Sequence, residues 1–428
     1  MEEIKIGLLG LGTVGKGVVK LLEQSATVIE QRLGKKIVLK KVAIKDLKKE
    51  RDVFLPEGVL TDQAEDVVND PEISIVIELI GGTDAAKKLT LKALKNKKHV
   101  VTANKALIAE EGDVVIKTAL DHKVAYMFEA SVGGGIPILR SLRDGLVANR
   151  TESIYGIING TANYILSKMS DEGIEFDQAL KEAKEKGYAE ADPSLDIDGI
   201  DSAHKLKILT LLGFGLKVNM NDIFVQGIRN ITLSDIVYAE ELGYKIKLLA
   251  IAKEIGVEIE VRVHPTLIPE DHLLAAVNDV YNAICVTGNA AGQNIFLGLG
   301  AGDMPTASAV LSDVIEIARD PTRSFHEHMP MVNTLKSIRK IDEVISKYYI
   351  RLSVVDQPGV LSGIANILGE HNISIASVIQ KERNVGDTVP LIMMTHEAKE
   401  HEICQAMDVI DRLPVVDRKS MVIRVEMI

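Results

Sequence analysis

The sequence predicts an α/β protein in three parts: an open, largely parallel sheet with helices on both faces, then an α+β domain, then a compact βαββαβ module. Three observations carry this. Short apolar strands alternate with helical segments through roughly residue 130, longer strands and amphipathic helices follow, and a further change comes after a helix-like stretch near residues 331–346. At 428 residues the chain exceeds what one hydrophobic core supports, so two or three domains are expected.

The first strands read as Ile4 to Leu9, Ile37 to Ile44, Ile73 to Leu79, Val100 to Thr102 and Val124 to Phe128. Between the first strand and the first helix stands Gly10-Leu11-Gly12-Thr13-Val14-Gly15. In that context Gly10 permits the tight turn, Gly12 lets the backbone approach a pyrophosphate, and Gly15 allows close helix-strand packing. A Rossmann-like, doubly wound dinucleotide-binding domain follows from this. At the tip of the second strand, Lys45 can meet the 2'-phosphate of NADP(H), while Asp46 one residue later leaves NAD(H) open. Lys105 follows the strand ending at Thr102, at the edge where open α/β sheets take their ligands. Gly133-Gly134-Gly135 marks a boundary, beyond which Ser153 to Ile158 and Glu258 to Val263 read as strands.

The segment 187–205 is dense in chemistry. Glu190, Asp192, Asp196, Asp198 and Asp201 lead into a helix on which Asp201 and Lys205, four residues apart, project from one face. Carboxylates can hold an ammonium group, and Lys205 oriented by Asp201 could pass a proton to a carbonyl oxygen. The same residues also read as a charged helix start with a surface ion pair.

Composition excludes other classes. Fifty basic against 61 acidic residues give a net charge of -11, without a basic stripe for a phosphate backbone, and Trp is absent, so nucleic acid is not an expected partner. Cys285 and Cys404 fit no metal or redox spacing and read as buried thiols in a reducing compartment. No stretch is long and apolar enough for a membrane span, and the N-terminus enters an apolar strand without a secretory signature, so the cytoplasm is expected. His264, within a strand-to-turn passage, reads as structural.

Together the glycine turn, Thr-Ala-Asn-Lys at 102–105, Glu-Ala-Ser-Val-Gly-Gly-Gly-Ile-Pro at 129–137, Asn-Gly-Thr-Ala-Asn-Tyr-Ile-Leu at 159–166 and the 187–205 segment resemble the homoserine dehydrogenase family over about residues 4–320. The resemblance implies reduction of aspartate 4-semialdehyde to homoserine, with Lys105 between cofactor and substrate. Glu190, Thr161 and Asp196 would contact the substrate, and Lys205 would be the proton donor with Asp201 nearby. It also implies a monovalent cation, usually sodium, held by Glu129 and by Val132, Gly134 and Ile136. Gly302, in Gly298–Thr306, resembles the segment that returns to complete the cofactor site.

The last 80 residues, with Asp356-Gln357-Pro358-Gly359-Val360 before a helix and Asn372 before a strand, resemble an ACT domain of ferredoxin-like βαββαβ order. Such modules often bind amino acids between paired copies, which makes Gly359, Val360 and Asn372 effector candidates and threonine the favoured ligand. The expected domains are thus 1–135 for NAD(P) binding, completed by about 300–340, then 136–315 for catalysis and dimerisation, then 347–428 for regulation. A homodimer or homotetramer is expected. Two alternatives stay open: a non-catalytic dinucleotide and amino-acid sensor, and aspartate-semialdehyde dehydrogenase, which needs a nucleophilic cysteine.

Overall fold

The computed structural model describes residues 2–49, 51–321, 335–381 and 387–428. It divides into two compact units: Met1–Glu152 with His204–Lys217 and Asn282–Asn333, and Ser153–Ala203 with Val218–Tyr281 and Thr334–Ile428.

In the first unit, β1 (Glu3–Leu9), β2 (Lys36–Ala43), β3 (Leu60–Thr61), β4 (Ile75–Glu78), β5 (His99–Thr102) and β6 (Tyr126–Met127) form a parallel sheet in the order β3-β2-β1-β4-β5-β6. The five expected strands are all present. Because helices cover both faces, the middles of the central strands are apolar: Ile6, Leu8, Val76, Ile77, Val100 and Val101 are fully buried. The strand order reverses between β1 and β4, and this opens a crevice at the carboxyl ends of the strands.

Helix Asp303–Arg319 packs beside helix Thr13–Gln24. Gly17 permits that contact, since a Cβ there would lie 2.5 Å from the carbonyl oxygen of Asp303. A Cβ on Gly15 would lie 2.4 Å from the carbonyl oxygen of Gly10, just past β1, so its absence lets the helix start close against the end of the strand.

The remaining strands are β7 (Thr151–Ile157), β8 (Phe224–Val225), β9 (Tyr244–Ile255), β10 (Glu258–Pro269), β11 (Tyr281–Gly288), β12 (Gly292–Leu299), β13 (Ser337–Ile338), β14 (Ile345–Val355), β15 (Ile375–Ile379), β16 (Thr388–Thr395), β17 (Ala398–Lys399) and β18 (Val416–Val425). The second unit orders its sheet β7-β9-β10-β18-β14-β16-β15, with β8 and β13 also on β10. Strands β18-β14-β16-β15, crossed by helices Val360–Glu370 and Glu400–Ile410, make the expected ferredoxin-like module. Its core includes Tyr348, Ile350, Leu352, Ile364, Leu368, Leu391, Met393, Ile403 and Ile410.

Two expectations fail. The helical pattern near 331–346 is not realised over 335–346, where β13, a single 3-10 turn at Ile341–Glu343 and the start of β14 replace it; residues 331–334 lie outside those described. Pairing of β13 with β10 at Glu258↔Ser337 and Ile259↔Ile338 overrides the local helical preference. Cys404 is exposed on helix Glu400–Ile410 rather than buried.

Strand β18 runs parallel to β10, with Thr266 opposite Arg424 and Leu267 opposite Val425. At this seam Arg262 is almost wholly buried. Its guanidinium donates to Glu260 Oε2 at 2.9 Å, to Glu426 Oε1 at 2.6 Å and to His264 Nε2 at 2.8 Å. Burial and the two neighbouring guanidinium groups hold the His264 pKa well below its usual value, so this histidine is a neutral acceptor, structural as the sequence implied. Tyr155 adds a hydroxyl donor to Glu426 at 3.3 Å. Removing the guanidinium would leave two buried carboxylates facing each other. Arg262→Met should therefore destabilise the protein by about 3–5 kcal/mol in urea titration, and Glu426→Gln, which leaves Glu260 in place, by only about 1.5–3 kcal/mol.

Candidate active site

The cofactor edge of the first unit is built by backbone. Gly10 has φ +96°, its amide donates to Ala43 O at 2.9 Å, and a Cβ there would stand 2.5 Å from Leu79 O. Only glycine fits. At Gly12 the same test meets nothing within 4 Å, so the turn presents open backbone where a pyrophosphate needs to approach. Helix Thr13–Gln24 begins at Gly12 without a side-chain cap, which leaves its first amides as anion donors beside Leu11, Thr13, Val14 and Gly15.

Lys45 stands exposed just past β2. The neighbouring Asp46 is already engaged, since its carboxylate accepts from Lys48 N at 2.9 Å and Arg51 Nη2 bonds its carbonyl at 3.0 Å. Lys105 opens helix Lys105–Asp121, whose cap is Asn104: its Oδ1 accepts from Leu107 N at 3.1 Å. Gly302 has φ +130° and immediately precedes helix Asp303–Arg319.

Glu129 starts a single 3-10 turn and is buried, with Oε1 accepting from Leu139 N at 2.9 Å and Oε2 from Arg140 N at 2.8 Å. Burial pushes its carboxyl up to about 7, against those amide bonds. Asp313, buried and accepting from Glu129 N at 2.9 Å, is also held far above the usual carboxylate range by burial. Gly133 and Gly134 take φ +72° and +54°, so the chain turns sharply between Val132 and Ile136. The donors there are a carboxylate and backbone carbonyls, an all-oxygen set that suits a hard cation.

In the second unit the five carboxylates separate by partner. Asp192 accepts from Ser194 N and Oγ at 3.1 and 2.6 Å, and Asp198 forms an ion pair with Arg229, so both are structural. Asp196 and Asp201 are tied together instead, because Asn159 Nδ2 donates to Asp196 Oδ1 at 2.7 Å and to Asp201 Oδ2 at 2.9 Å. Asn159 Oδ1 meanwhile caps helix Gly160–Glu172 by accepting from Ala162 N at 2.8 Å. Thr161, next in this helix, gives its hydroxyl proton to Tyr188 O at 2.7 Å, which fixes the chain two residues before the exposed Glu190.

Asp201 and Lys205 lie one turn apart on helix Ile200–Phe214, and both are buried. Sequence reasoning missed the bridging role of Asn159. Its only signal was an Asn ahead of Gly-Thr-Ala, which reads as a helix cap.

In the regulatory module, Gly359 has φ +92° at the start of helix Val360–Glu370 and Asn372, with φ +59°, lies just past its end. Eleven helical residues separate them by about 16 Å, so one small ligand cannot touch both within one copy.

A doubly wound sheet whose glycine turn opens onto bare backbone at a helix start defines the dinucleotide-binding domain of an oxidoreductase. The family models agree: residues 10–129 match the homoserine dehydrogenase NAD binding domain, 137–315 match homoserine dehydrogenase, and 348–415 match the ACT domain. Among relatives, a homoserine dehydrogenase of Synechocystis sp. is 45% identical over 99% of both chains, and one of Bacillus subtilis is 40% identical over 100% of this chain and 99% of its own. A solved homoserine dehydrogenase from Thiobacillus denitrificans, 45% identical, superposes with a TM-score of 0.93 over 100% of this chain and 99% of that one. A hyperthermophilic archaeal homoserine dehydrogenase in complex with NADPH, 26% identical, covers 77% of this chain and 100% of that one at a TM-score of 0.63. The chain belongs to the homoserine dehydrogenase family.

Asn159→Ser keeps the helix cap and removes both carboxylate contacts. It should lower kcat/KM about 5- to 100-fold in steady-state assay and, because the buried Asp201 loses a donor, cost about 1–3 kcal/mol in urea titration.

Proposed function

We propose that the chain reduces L-aspartate 4-semialdehyde to L-homoserine reversibly, with NADPH preferred over NADH, and supplies threonine, methionine and isoleucine synthesis in the cytoplasm. The observation that carries the chemical part is the division of the 187–205 carboxylates. Asp192 and Asp198 are spent on structure, which points to Glu190 and Asp196 for a substrate ammonium and to Asp201 with Lys205 for the proton. With its pyrophosphate at the glycine turn, the reduced dinucleotide would supply the hydride from its nicotinamide ring.

Glu190, Asp196 and Thr161 would hold the amino-acid end of the substrate. Lys205, oriented by Asp201 on the same helix, would give its proton to the aldehyde oxygen as it becomes an alcohol, and Lys105 would lie between cofactor and substrate. The turn in which the Asp46 carboxylate accepts from Lys48 N, beside an exposed Lys45, supports a 2'-phosphate over bare ribose hydroxyls. Cys285 argues against aspartate-semialdehyde dehydrogenase: it is buried, and burial raises its thiol to about 11, far from a ready nucleophile. The proposed division of labour is residues 1–135, completed by about 300–340, for the cofactor, 136–315 for catalysis and dimerisation, and 347–428 for regulation.

Turnover in Lys205→Ala should fall ~10²- to 10⁴-fold with NADPH affinity retained, and Lys205→Arg should not restore it. In the same assay, Lys45→Ala should weaken NADPH more than NADH. Wild-type turnover in Lys205→Ala would remove the proton-donor assignment.

A sodium ion held by Glu129 and the carbonyls of Val132, Gly134 and Ile136 would relieve the buried charge. With a folded pKa near 7 against an ordinary value of 4.5, ionising Glu129 costs stability increasingly as pH rises from 4.5 to 7 and fully above 7. Sodium chloride should therefore raise the unfolding temperature above pH 7 relative to choline chloride at equal ionic strength, and have little effect near pH 4.5. An equal response at both pH values would count against the site.

Threonine is proposed to bind between paired copies of the C-terminal module in a homodimer or homotetramer, where Gly359 and Val360 of one copy and Asn372 of another could share a ligand. That arrangement fits their separation along the helix. Threonine should lower activity without competing for substrate, with a coupling of about 1–3 kcal/mol. Calorimetry and rate measurements that detect neither heat nor inhibition at millimolar threonine would exclude it as the effector.

A further inference from the structure

Glu78 ends β4 with no exposed surface, and nothing in the chemistry above uses it. Its Oε1 accepts from Ile80 N at 2.8 Å, and its Oε2 accepts from Thr102 Oγ1 at 2.8 Å. Glu78 and Thr102 are register partners at the carboxyl ends of β4 and β5. Thr102 Oγ1 accepts in turn from Asn104 N at 2.9 Å, and Asn104 Nδ2 donates to Gly82 O at 2.7 Å. The bonds thus close a circuit from Glu78 through Thr102 and Asn104 to the loop at 80–83 and back. Gly81 and Gly82 in that loop both have φ +71°, and its leading residues Leu79 and Ile80 are the backbone against which Gly10 abuts.

A buried carboxyl group with no ion-pair partner among the described residues is costly unless its geometry is needed. Burial pushes the Glu78 carboxyl above the usual range, opposed by the bonds from Ile80, Thr102 and Asn104. Strand packing at this position would be served equally by an apolar side chain. What an apolar side chain could not do is accept from both loops at once.

We propose that Glu78 is a positioning residue, whose single carboxyl group holds the loop after β4 and the turn leading to Lys105 in fixed relation at the cofactor edge of the sheet. This rests on Lys105 serving cofactor and substrate as proposed above. Replacement by Gln keeps an acceptor for Ile80 but turns an amide donor toward a hydroxyl that already needs an acceptor.

The test measures NADPH affinity by fluorescence titration, without turnover, alongside kcat and KM in the full-length protein. Glu78→Gln should weaken NADPH binding and lower kcat, each about 5- to 100-fold. Thr102→Val, which loses the same bond together with the one from Asn104 N, should likewise weaken NADPH binding and lower kcat, and Thr102→Ser should restore both. The double variant should lose no more kcat than Glu78→Gln alone, because both act through one bond. If Glu78→Gln keeps affinity and kcat within twofold while only its unfolding temperature falls, Glu78 is structural and the proposal is overturned. Should Glu78→Gln not fold, an unchanged kcat in Thr102→Val would overturn it equally. Lys105→Ala, run beside these, separates the two readings: full turnover there removes the role of Lys105, while the binding titration still reports on Glu78.

Discussion

A guanidinium group withdrawn almost wholly from water is tolerable only where negative charge and hydrogen-bond acceptors surround it. Arg262 meets that condition by drawing on two distant parts of the chain, Glu260 on its own strand and Glu426 at the far end of the sequence. The parallel join of β10 to β18 follows from this pairing as much as from its main-chain bonds. Two further polar clusters involve the strands of the same module. Asp235 receives Arg351 at 2.7 Å and the Tyr349 hydroxyl at 3.1 Å, and Arg424 is held by Glu400 and Gln226. The C-terminal module is thereby built into the second unit's sheet rather than hung from it by a linker, so any ligand that strained β14 or β18 would be felt at β10.

The sequence made some of this legible and not the rest, for physical reasons. Strands β1, β2, β4, β5 and β6 could be read because each is a short apolar run closed by turn residues, a purely local signal. The glycine turn could be read because the requirement at Gly10 is also local: positive φ with no room for a side chain. The β10–β18 join could not, because nothing in Glu258–Pro269 announces a partner some 164 residues away. The region near 331–346 misled for the same reason, its composition favouring a helix that pairing with β10 prevents where the chain is described.

Within the candidate site, residue types were easier to foresee than their allocation. Five acidic residues between 190 and 201 look alike in sequence. The fold separates them by what stands opposite: a serine for Asp192, an arginine for Asp198, and one shared asparagine amide for Asp196 and Asp201. Glu78 was overlooked because a single acidic residue before Leu-Ile-Gly-Gly resembles the start of an ordinary loop. Its significance lies in a bond to the adjacent strand, which no window along the sequence contains.

The placement of Glu426 also bears on how the protein is made. Ribosomes deliver the chain from its N-terminus, so β10 emerges long before the carboxylate that completes the Arg262 cluster. The nascent second unit must therefore wait, with a central strand edge unpaired and a cation incompletely neutralised, until the chain has been translated through Glu426. The strands of the doubly wound sheet β1 to β6 all lie before residue 130 and can pair earlier, although the helix Asp303–Arg319 that packs on it comes later. Synthesis should accordingly pass through a stage in which that sheet is formed and the middle of the chain is still exposed to chaperones.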